Sequence, residues 1–280
     1  MKIAIIGVGL IGGSMALKLK QKEFATKIYG VDFNENNLTK AKELNIIDEI
    51  TDLEIAVKNS DLIILSIPVD SSVKLLPHIL DLINDSQTVM DVGSTKFSIV
   101  EIIKNHQKRK NFVASHPMWG TENSGPQAAT ASAFSERAAV ICDAEMSAES
   151  SLNLVKKVYE NLDMNLLFMN SEDHDIHTAY ISHISHITSY ALANTVLEKE
   201  REEDTIFQLA SSGFSSTVRL AKSHPEMWVP IFKQNKENVL DVLNEHITQL
   251  RKFKSALEKE NYVLLEELIS NANKIRGILK

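Results

Sequence analysis

The chain is poor in several residue types, and each shortage excludes something. Its 280 residues include one cysteine, Cys142, so no disulfide closes within the chain and a reducing compartment is expected. No apolar run reaches the ~20 residues needed to cross a bilayer, so no membrane partner is expected. No basic stretch stands out against the net charge of −7, so no nucleic-acid partner is expected either. Arginine occurs only six times, which gives each one weight. Glycine is unevenly spread. Four of the ten glycines lie within 7–13, whereas 171–212 holds neither glycine nor proline. The chain therefore begins on a sharp backbone turn and later becomes long helix. Its length suggests about two domains.

The first half alternates short apolar runs with helical segments. The runs are KIAII (2–6), KIYGV (27–31), DLIILSI (61–67), QTVMDV (87–92), FVAS (112–115) and AAVIC (138–142). Such runs suit strands covered on both faces, and their alternation with helices predicts a doubly wound parallel sheet of Rossmann type. The second half, from about Glu172, reads as all helix. The expected domains are 1–170 and 171–280, and the fold class is α/β with an all-α C-terminal part.

Gly7-Val8-Gly9-Leu10-Ile11-Gly12 is G-x-G-x-x-G between a strand and a helix. Asp32 ends the second strand, 20 residues beyond Gly12, the offset of a ribose-binding acid. Gly7 permits the turn, Gly9 admits a pyrophosphate, and Gly12 lets the helix pack on the strand. The helix N-terminus offers N–H groups and partial positive charge to the phosphates. Asp32 favours NAD over NADP, because it accepts from a ribose hydroxyl and repels a 2′-phosphate, and Phe33 and Asn34 supply no cation beside it. Gly7, Gly9, Leu10, Ile11, Gly12, Asp32 and Ser66 are the candidate cofactor-binding residues. The same glycine spacing, with no A-x-A cleavage site after it, argues against a secretory leader, and a cytoplasmic location is expected.

Polar segments fall at the carboxyl ends of the later strands, where such sheets bind ligands. They are Ser66-Ile67-Pro68, Asp91 to Lys96, and Ser115 to Glu122. The segment 172–200 carries His174, His177, His183 and His186. His174 and His177 read as ordinary core or surface groups. His183 and His186, three residues apart, share a face with Ser182, Ser185, Thr188 and Ser189, and a lined pocket explains so polar a face. H-E-x-x-H is absent, and no metal is expected. Arg109, Arg201, Arg251 and Arg276 lie in charged helical stretches and read as solvated. Arg219 follows the glycine-containing turn 211–217 and is placed to clamp a carboxylate. Segments 234–258 and 260–276 read as amphipathic helices.

GVGLIGGS (7–14), VD (31–32), DVGSTK (91–96), SHPMWGTENSG (115–125), ISHISH (181–186), SSGFSSTVRLA (211–221) and PEMW (225–228) together resemble the prephenate dehydrogenase family, which includes arogenate dehydrogenases. The glycine motif alone would fit any dinucleotide enzyme; SHPM-x-G-TE with the downstream S-H-x-x-H and F-x-x-x-x-R is far more specific. The resemblance implies NAD-dependent oxidative decarboxylation of prephenate to 4-hydroxyphenylpyruvate, with arogenate as the alternative substrate. It makes His116 the acceptor of the ring-hydroxyl proton and Ser94 its partner in orienting that hydroxyl. Ser182, His183 and His186 would line the substrate pocket. Arg219 would hold a carboxylate, Thr121 and Glu122 would sit at the pocket's edge, and Trp228 would pack nearby. It also implies a homodimer through the helical part and, at this length, no appended regulatory domain. Two other readings stay open. A β-hydroxyacid dehydrogenase would want a catalytic lysine, but none occurs between Lys157 and Lys199. A non-catalytic NAD-sensing module would leave His116, Ser94 and Arg219 without a purpose.

Overall fold

The computed structural model describes residues 1–203 and 205–278. The chain divides into two compact units, Met1–Asn235 and Lys236–Lys280. The first opens as β1 (Lys2–Ile6), α1 (Leu10–Gln21), β2 (Lys27–Val31), α2 (Glu35–Glu43), β3 (Glu49–Ile50), α3 (Leu53–Lys58), β4 (Leu62–Leu65), α4 (Val69–Leu82), β5 (Thr88–Asp91) and α5 (Phe97–Ile102). It continues with β6 (Phe112–Pro117), β7 (Ala138–Cys142), α6 (Glu149–Asn161) and β8 (Asn165–Met169). The strands form one sheet in the order β3-β2-β1-β4-β5-β6-β7-β8. The first six strands are parallel, and the order reverses between β1 and β4, the position at which doubly wound sheets bind nucleotides.

Successive side chains alternate between two apolar layers. Ile3, Ile5, Leu62 and Ile64 enter one layer, and Ala4, Ile6, Ile63 and Leu65 enter the other. Each fully buried aliphatic side chain contributes about 1.5–3 kcal/mol relative to exposure. This two-sided burial explains why the runs show no polar alternation.

Two features depart from the expected parallel sheet. β7 pairs antiparallel with β6, and β8 then pairs parallel with β7, so the last two strands run against the other six. The loop between β6 and β7 returns the chain to the same end of the sheet, without the helical crossover that a parallel neighbour requires. β3 and β8 were not expected at all. β3 has two residues, and β8 is an edge strand with Leu167 and Phe168 about half exposed.

The helices that follow are α7 (Ser171–Thr178), a π-helical turn (Ala179–His183), α8 (Ile184–Glu203), α9 (Ser212–Thr217) and α10 (Pro225–Gln234). The long expected segment is thus two helices joined through a wider turn. Asn170 caps α7, its side chain accepting from the Asp173 amide at 2.7 Å. The second unit consists of α11 (Lys236–Glu258) and α12 (Tyr262–Ala272), followed by a short 3-10 turn to Gly277. The expected helical end reaches Leu279 and Lys280, which lie outside the described residues. No described helix is long and apolar enough to cross a membrane.

Candidate active site

The glycine turn has the geometry its spacing predicts. Gly7 takes a φ of +96°, and a Cβ there would lie 2.1 Å from the Ser66 carbonyl oxygen. A Cβ at Gly12 would lie 2.2 Å from the Gly7 carbonyl oxygen. At Gly9 a Cβ would meet nothing within 4 Å, so the backbone faces open space at the point where a pyrophosphate would approach. Leu10 and Ile11 form the first turn of α1, which carries no acidic side chain to compete with an anion. Asp32 is anchored here, accepting from the Val8 amide at 3.0 Å and the Asn34 amide at 2.9 Å. Its carboxylate joins Phe33, Ile67 and Pro68 in lining a cavity of about 880 Å³. These groups suit a dinucleotide: a cradle without Cβ atoms, free helix amides and a fixed acid.

The catalytic candidates lie further along the carboxyl edge of the sheet. His116, on β6, is half-buried. Its Nδ1 lies 2.9 Å from His174 Nε2, and His174 Nδ1 lies 2.8 Å from Asp175 Oδ1. The carboxylate decides the tautomers, because an ionised acid only accepts. His174 therefore carries its proton on Nδ1, and its Nε2 accepts from His116 Nδ1–H. That leaves His116 Nε2 with a free lone pair. Asp175 is itself fixed at the start of α5, accepting from the Lys96 and Phe97 amides at 2.7 and 3.0 Å. His174 is thus more than the ordinary core group expected. The available signal was the His-Asp dipeptide, but nothing local showed that it would face β6.

Under this relay lies a buried polar network. Lys96, fully buried, pairs with Asp91 and donates to the Ser115 carbonyl at 2.9 Å. The Ser115 hydroxyl donates to the Asp91 carbonyl and accepts from the Tyr159 hydroxyl, each at 2.7 Å. The network ties the carboxyl ends of β5 and β6 together, so that Ser94 and His116 are held on neighbouring strand ends. The Ser94 hydroxyl is half-buried and makes no hydrogen bond among the described residues, so it is free for a ligand. Burial pushes the His116 imidazole well below its ordinary value, and the nearby His174, Lys96 and His183 act the same way.

The helices supply the facing wall. His183 is buried in the π-turn, its Nδ1 3.1 Å from the Asn235 amide nitrogen, and burial holds it down to about 4. His186 stacks on Trp228 with ring centroids 3.4 Å apart, and its Nδ1 lies 3.0 Å from the Ser182 carbonyl. Burial lowers this imidazole too, as does the positive charge of Arg219. Burial is thus the largest cause of a lowered pKa at all four histidines, His174 included, and Arg219 is the positive charge acting on His186. The Ser189 hydroxyl fixes Arg219's segment to α8, donating to the Thr217 carbonyl at 3.1 Å and accepting from the Ala221 amide at 3.0 Å.

Arg219 Nη1 donates to Glu122 Oε2 at 2.8 Å. Glu122 is held below the usual carboxylate range by its own backbone amide and by Arg219. Thr121 and Glu122 line a second cavity of about 580 Å³ with Trp119 and Gln127. One arginine differs from expectation. Arg109 is 4% exposed, because its side chain folds back over the Phe112 ring at the start of β6 and donates to the Phe112 carbonyl at 3.0 Å. Among the described residues, no group of three His, Cys, Asp or Glu side chains could hold a metal.

A Rossmann-type dehydrogenase is the class this arrangement defines, with a nucleotide-binding edge, a half-buried histidine further along it and an arginine paired with a glutamate. Comparison with known proteins narrows the class. Residues 15–167 match the nucleotide-binding domain of prephenate dehydrogenase, and residues 170–271 match its dimerization domain. The chain belongs to the prephenate dehydrogenase family. It is 30% identical to a prephenate dehydrogenase of Bacillus subtilis, covering 92% of this chain and 71% of that one. It is 29% identical to a cyclohexadienyl dehydrogenase of Zymomonas mobilis, covering 99% and 96%. The crystal structure of prephenate dehydrogenase from A. aeolicus, in complex with hydroxyphenyl propionate and NAD+, shares 31% identity. It superposes with a TM-score of 0.86 over 99% of this chain and 98% of that one.

Proposed function

We propose that the chain catalyses the NAD-dependent oxidative decarboxylation of prephenate to 4-hydroxyphenylpyruvate and CO2. The observation that carries this reading is the His116–His174–Asp175 chain, which leaves His116 Nε2 unprotonated at the carboxyl edge of the sheet. NAD, held by the Gly7–Gly12 turn and Asp32, supplies the hydride acceptor. His116 Nε2 takes the proton of the ring hydroxyl as the carbinol carbon becomes a carbonyl. A neutral imidazole suits that task near neutral pH. The imidazolium so formed keeps its Nδ1–H bond to His174, and Asp175 behind it stabilises the added charge. Ser94 orients the same hydroxyl. Loss of the ring carboxylate as CO2 makes the ring aromatic, so the protein mainly positions and deprotonates.

Arg219 receives a substrate carboxylate, exchanging Glu122 for it, and Ser182, His183 and His186 line the pocket. Such capture needs no positive field from the whole chain, whose net charge is −7. The functional halves meet near Asn170, with 1–170 for the cofactor and 171–280 for substrate and self-association. The match to a dimerization domain and the exposed Leu250, Leu257, Tyr262 and Val263 support pairing with a second copy. The one-cysteine composition supports a cytoplasmic location.

Arogenate remains the second substrate reading, supported by the likeness to a cyclohexadienyl dehydrogenase. NADH formation measured in parallel with prephenate and arogenate tests both. The expected result is a higher kcat/KM for prephenate. A higher value for arogenate reverses the assignment, and no turnover of either refutes it.

A further inference from the structure

Asn235 is 3% exposed, closes α10 and turns its side-chain amide back towards α7 and the π-turn. Its Nδ2 lies 2.6 Å from the Asp175 backbone carbonyl oxygen and 3.1 Å from His183 Nδ1. A carbonyl oxygen only accepts, so the nitrogen end of the amide must face it. The amide's orientation is thereby fixed, and its second N–H is left for His183. A neutral imidazole has one N–H and one bare nitrogen. Nδ1 faces a donor and must be the bare one, so the proton of His183 resides on Nε2. Burial holds this imidazole down to about 4, and it is uncharged near neutral pH.

The neighbouring histidine is set the opposite way. His186 Nδ1 faces the Ser182 carbonyl and carries its proton there, which leaves its Nε2 bare. What differs at His183 is the amide supplied by Asn235. The same helix supplies Trp228 and Phe232, whose rings meet His183 edge-on with centroids 5.9 and 6.4 Å away. α10 thus sets both the plane of the ring and the place of its proton. His183 is 1% exposed, yet its Nε2 has no hydrogen-bond partner among the described residues and is not enclosed by protein. An N–H kept bare on so buried a ring is costly unless a ligand meets it.

We propose that Asn235 is a positioning residue of the substrate pocket: it holds His183 in the Nε2–H form, so that the ring presents an uncharged donor to a carboxylate or keto oxygen of the substrate. This rests on reading His183 as a substrate-lining residue. A neutral donor binds such an oxygen without placing a second cation near His116, which must itself become positive when it takes the proton.

Isotopically labelled histidine reads the tautomer directly, because long-range proton–nitrogen couplings differ between the Nε2–H and Nδ1–H rings. The signal of His183 is the one lost in His183→Gln. The native full chain should show the Nε2–H form. Asn235→Asp nearly keeps the side-chain volume but offers His183 an acceptor, so the ring should turn to Nδ1–H and Nε2 should become bare. The Asp175 carbonyl keeps the Ala179 amide and the Thr178 hydroxyl as partners, so the change strands no acceptor there. The KM for prephenate should then rise about tenfold, with kcat and the KM for NAD within about threefold. His183→Gln puts an amide N–H near the place of Nε2 whatever stands at 235. On that background Asn235→Asp should change the prephenate KM by less than about twofold. A native ring in the Nδ1–H form overturns the proposal even if no variant folds, and so does a ring that keeps Nε2–H in Asn235→Asp. An equal rise in KM on both backgrounds means that Asn235 only braces α10, and refutes it too. If the tautomer turns while the prephenate KM stays, or the KM for NAD rises in its place, the substrate-lining reading of His183 is what fails, and the proposal falls with it.

Discussion

Replacing His174 with leucine tests the relay most directly. In the native site His174 Nε2 accepts from His116 Nδ1–H at 2.9 Å. Leucine removes that acceptor and leaves a buried N–H unpaired, at a cost of about 1–3 kcal/mol. His116 escapes the cost by moving its proton to Nε2, which abolishes the lone pair that accepts the substrate proton. A general base contributes about 10²–10⁴ in rate. With the imidazole present in the wrong tautomer, kcat should fall by about 10²-fold, a barrier increase of about 2.7 kcal/mol. Substrate and cofactor contacts are untouched, so both KM values should stay within about threefold.

A second readout separates positioning from simple damage. Burial is the largest cause of the low His116 pKa, and His174 is the next. Removing His174 should therefore shift the acid limb of the kcat/KM profile upward, towards 6.5. His174→Gln provides the rescue, because its amide oxygen reaches the place of Nε2 and accepts the same bond; it should restore kcat to within about tenfold of the native value. Initial rates of NADH formation across a pH series measure all three. A leucine variant with kcat within threefold of the native enzyme and an unmoved acid limb would refute the relay.

Three further outcomes follow from the same geometry. His116→Asn should lower kcat by about 10³-fold while NAD affinity, read by calorimetry, stays near native; ordinary turnover would remove His116 as the base. Arg219→Gln should mainly raise the KM for prephenate, by about tenfold or more, because a charged hydrogen bond to a carboxylate is worth about 1.5–3 kcal/mol; an unchanged KM places Arg219 outside the site. Acid should destabilise the fold through its buried histidines. His183 is held at about 4 against an unfolded value near 6.5, so between those values the unfolded chain binds more protons. Stability is full above about 6.5 and is lost as pH falls towards 4, with His183 alone accounting for on the order of 3 kcal/mol. His183→Phe should flatten that slope in urea unfolding at a series of pH values; an equal slope in both proteins would contradict the assignment.

Much of the nucleotide half was legible because its chemistry is local. A glycine whose Cβ would come within 2.1 Å of a carbonyl oxygen, a strand that must be apolar on both faces, and an acid at the end of β2 each leave a mark within a few residues. β8 left a weaker mark, since NLLFM is an apolar run, but half-exposed Leu167 and Phe168 make it an edge with little periodicity. The reversal of β7 left none, because AAVIC reads the same in either direction. Ser94 and His116 stood out through resemblance, whereas His183, His186 and Arg219 were marked already by a polar helix face and a glycine-containing turn. The partnership of His116 with His174 spans 58 residues and arises only when α7 docks beside β6. Arg109 misled for a related reason. A charged neighbourhood, KNHQKRK, signals solvent along the chain, but tertiary packing buries its arginine.

The π-turn at Ala179–His183 has a consequence best expressed as helix phase. An α-helix advances about 100° per residue, so twelve residues of unbroken helix would leave His186 about 120° around the axis from His174. The wider turn absorbs one residue without that advance and reduces the offset to about 20°. Ser182 comes within about 20° on the other side by the same arithmetic. The spacing of polar residues written in the sequence is therefore not the spacing presented to the site. A single residue of slack sets which histidines face together, while the two helices themselves would be equally content in either phase.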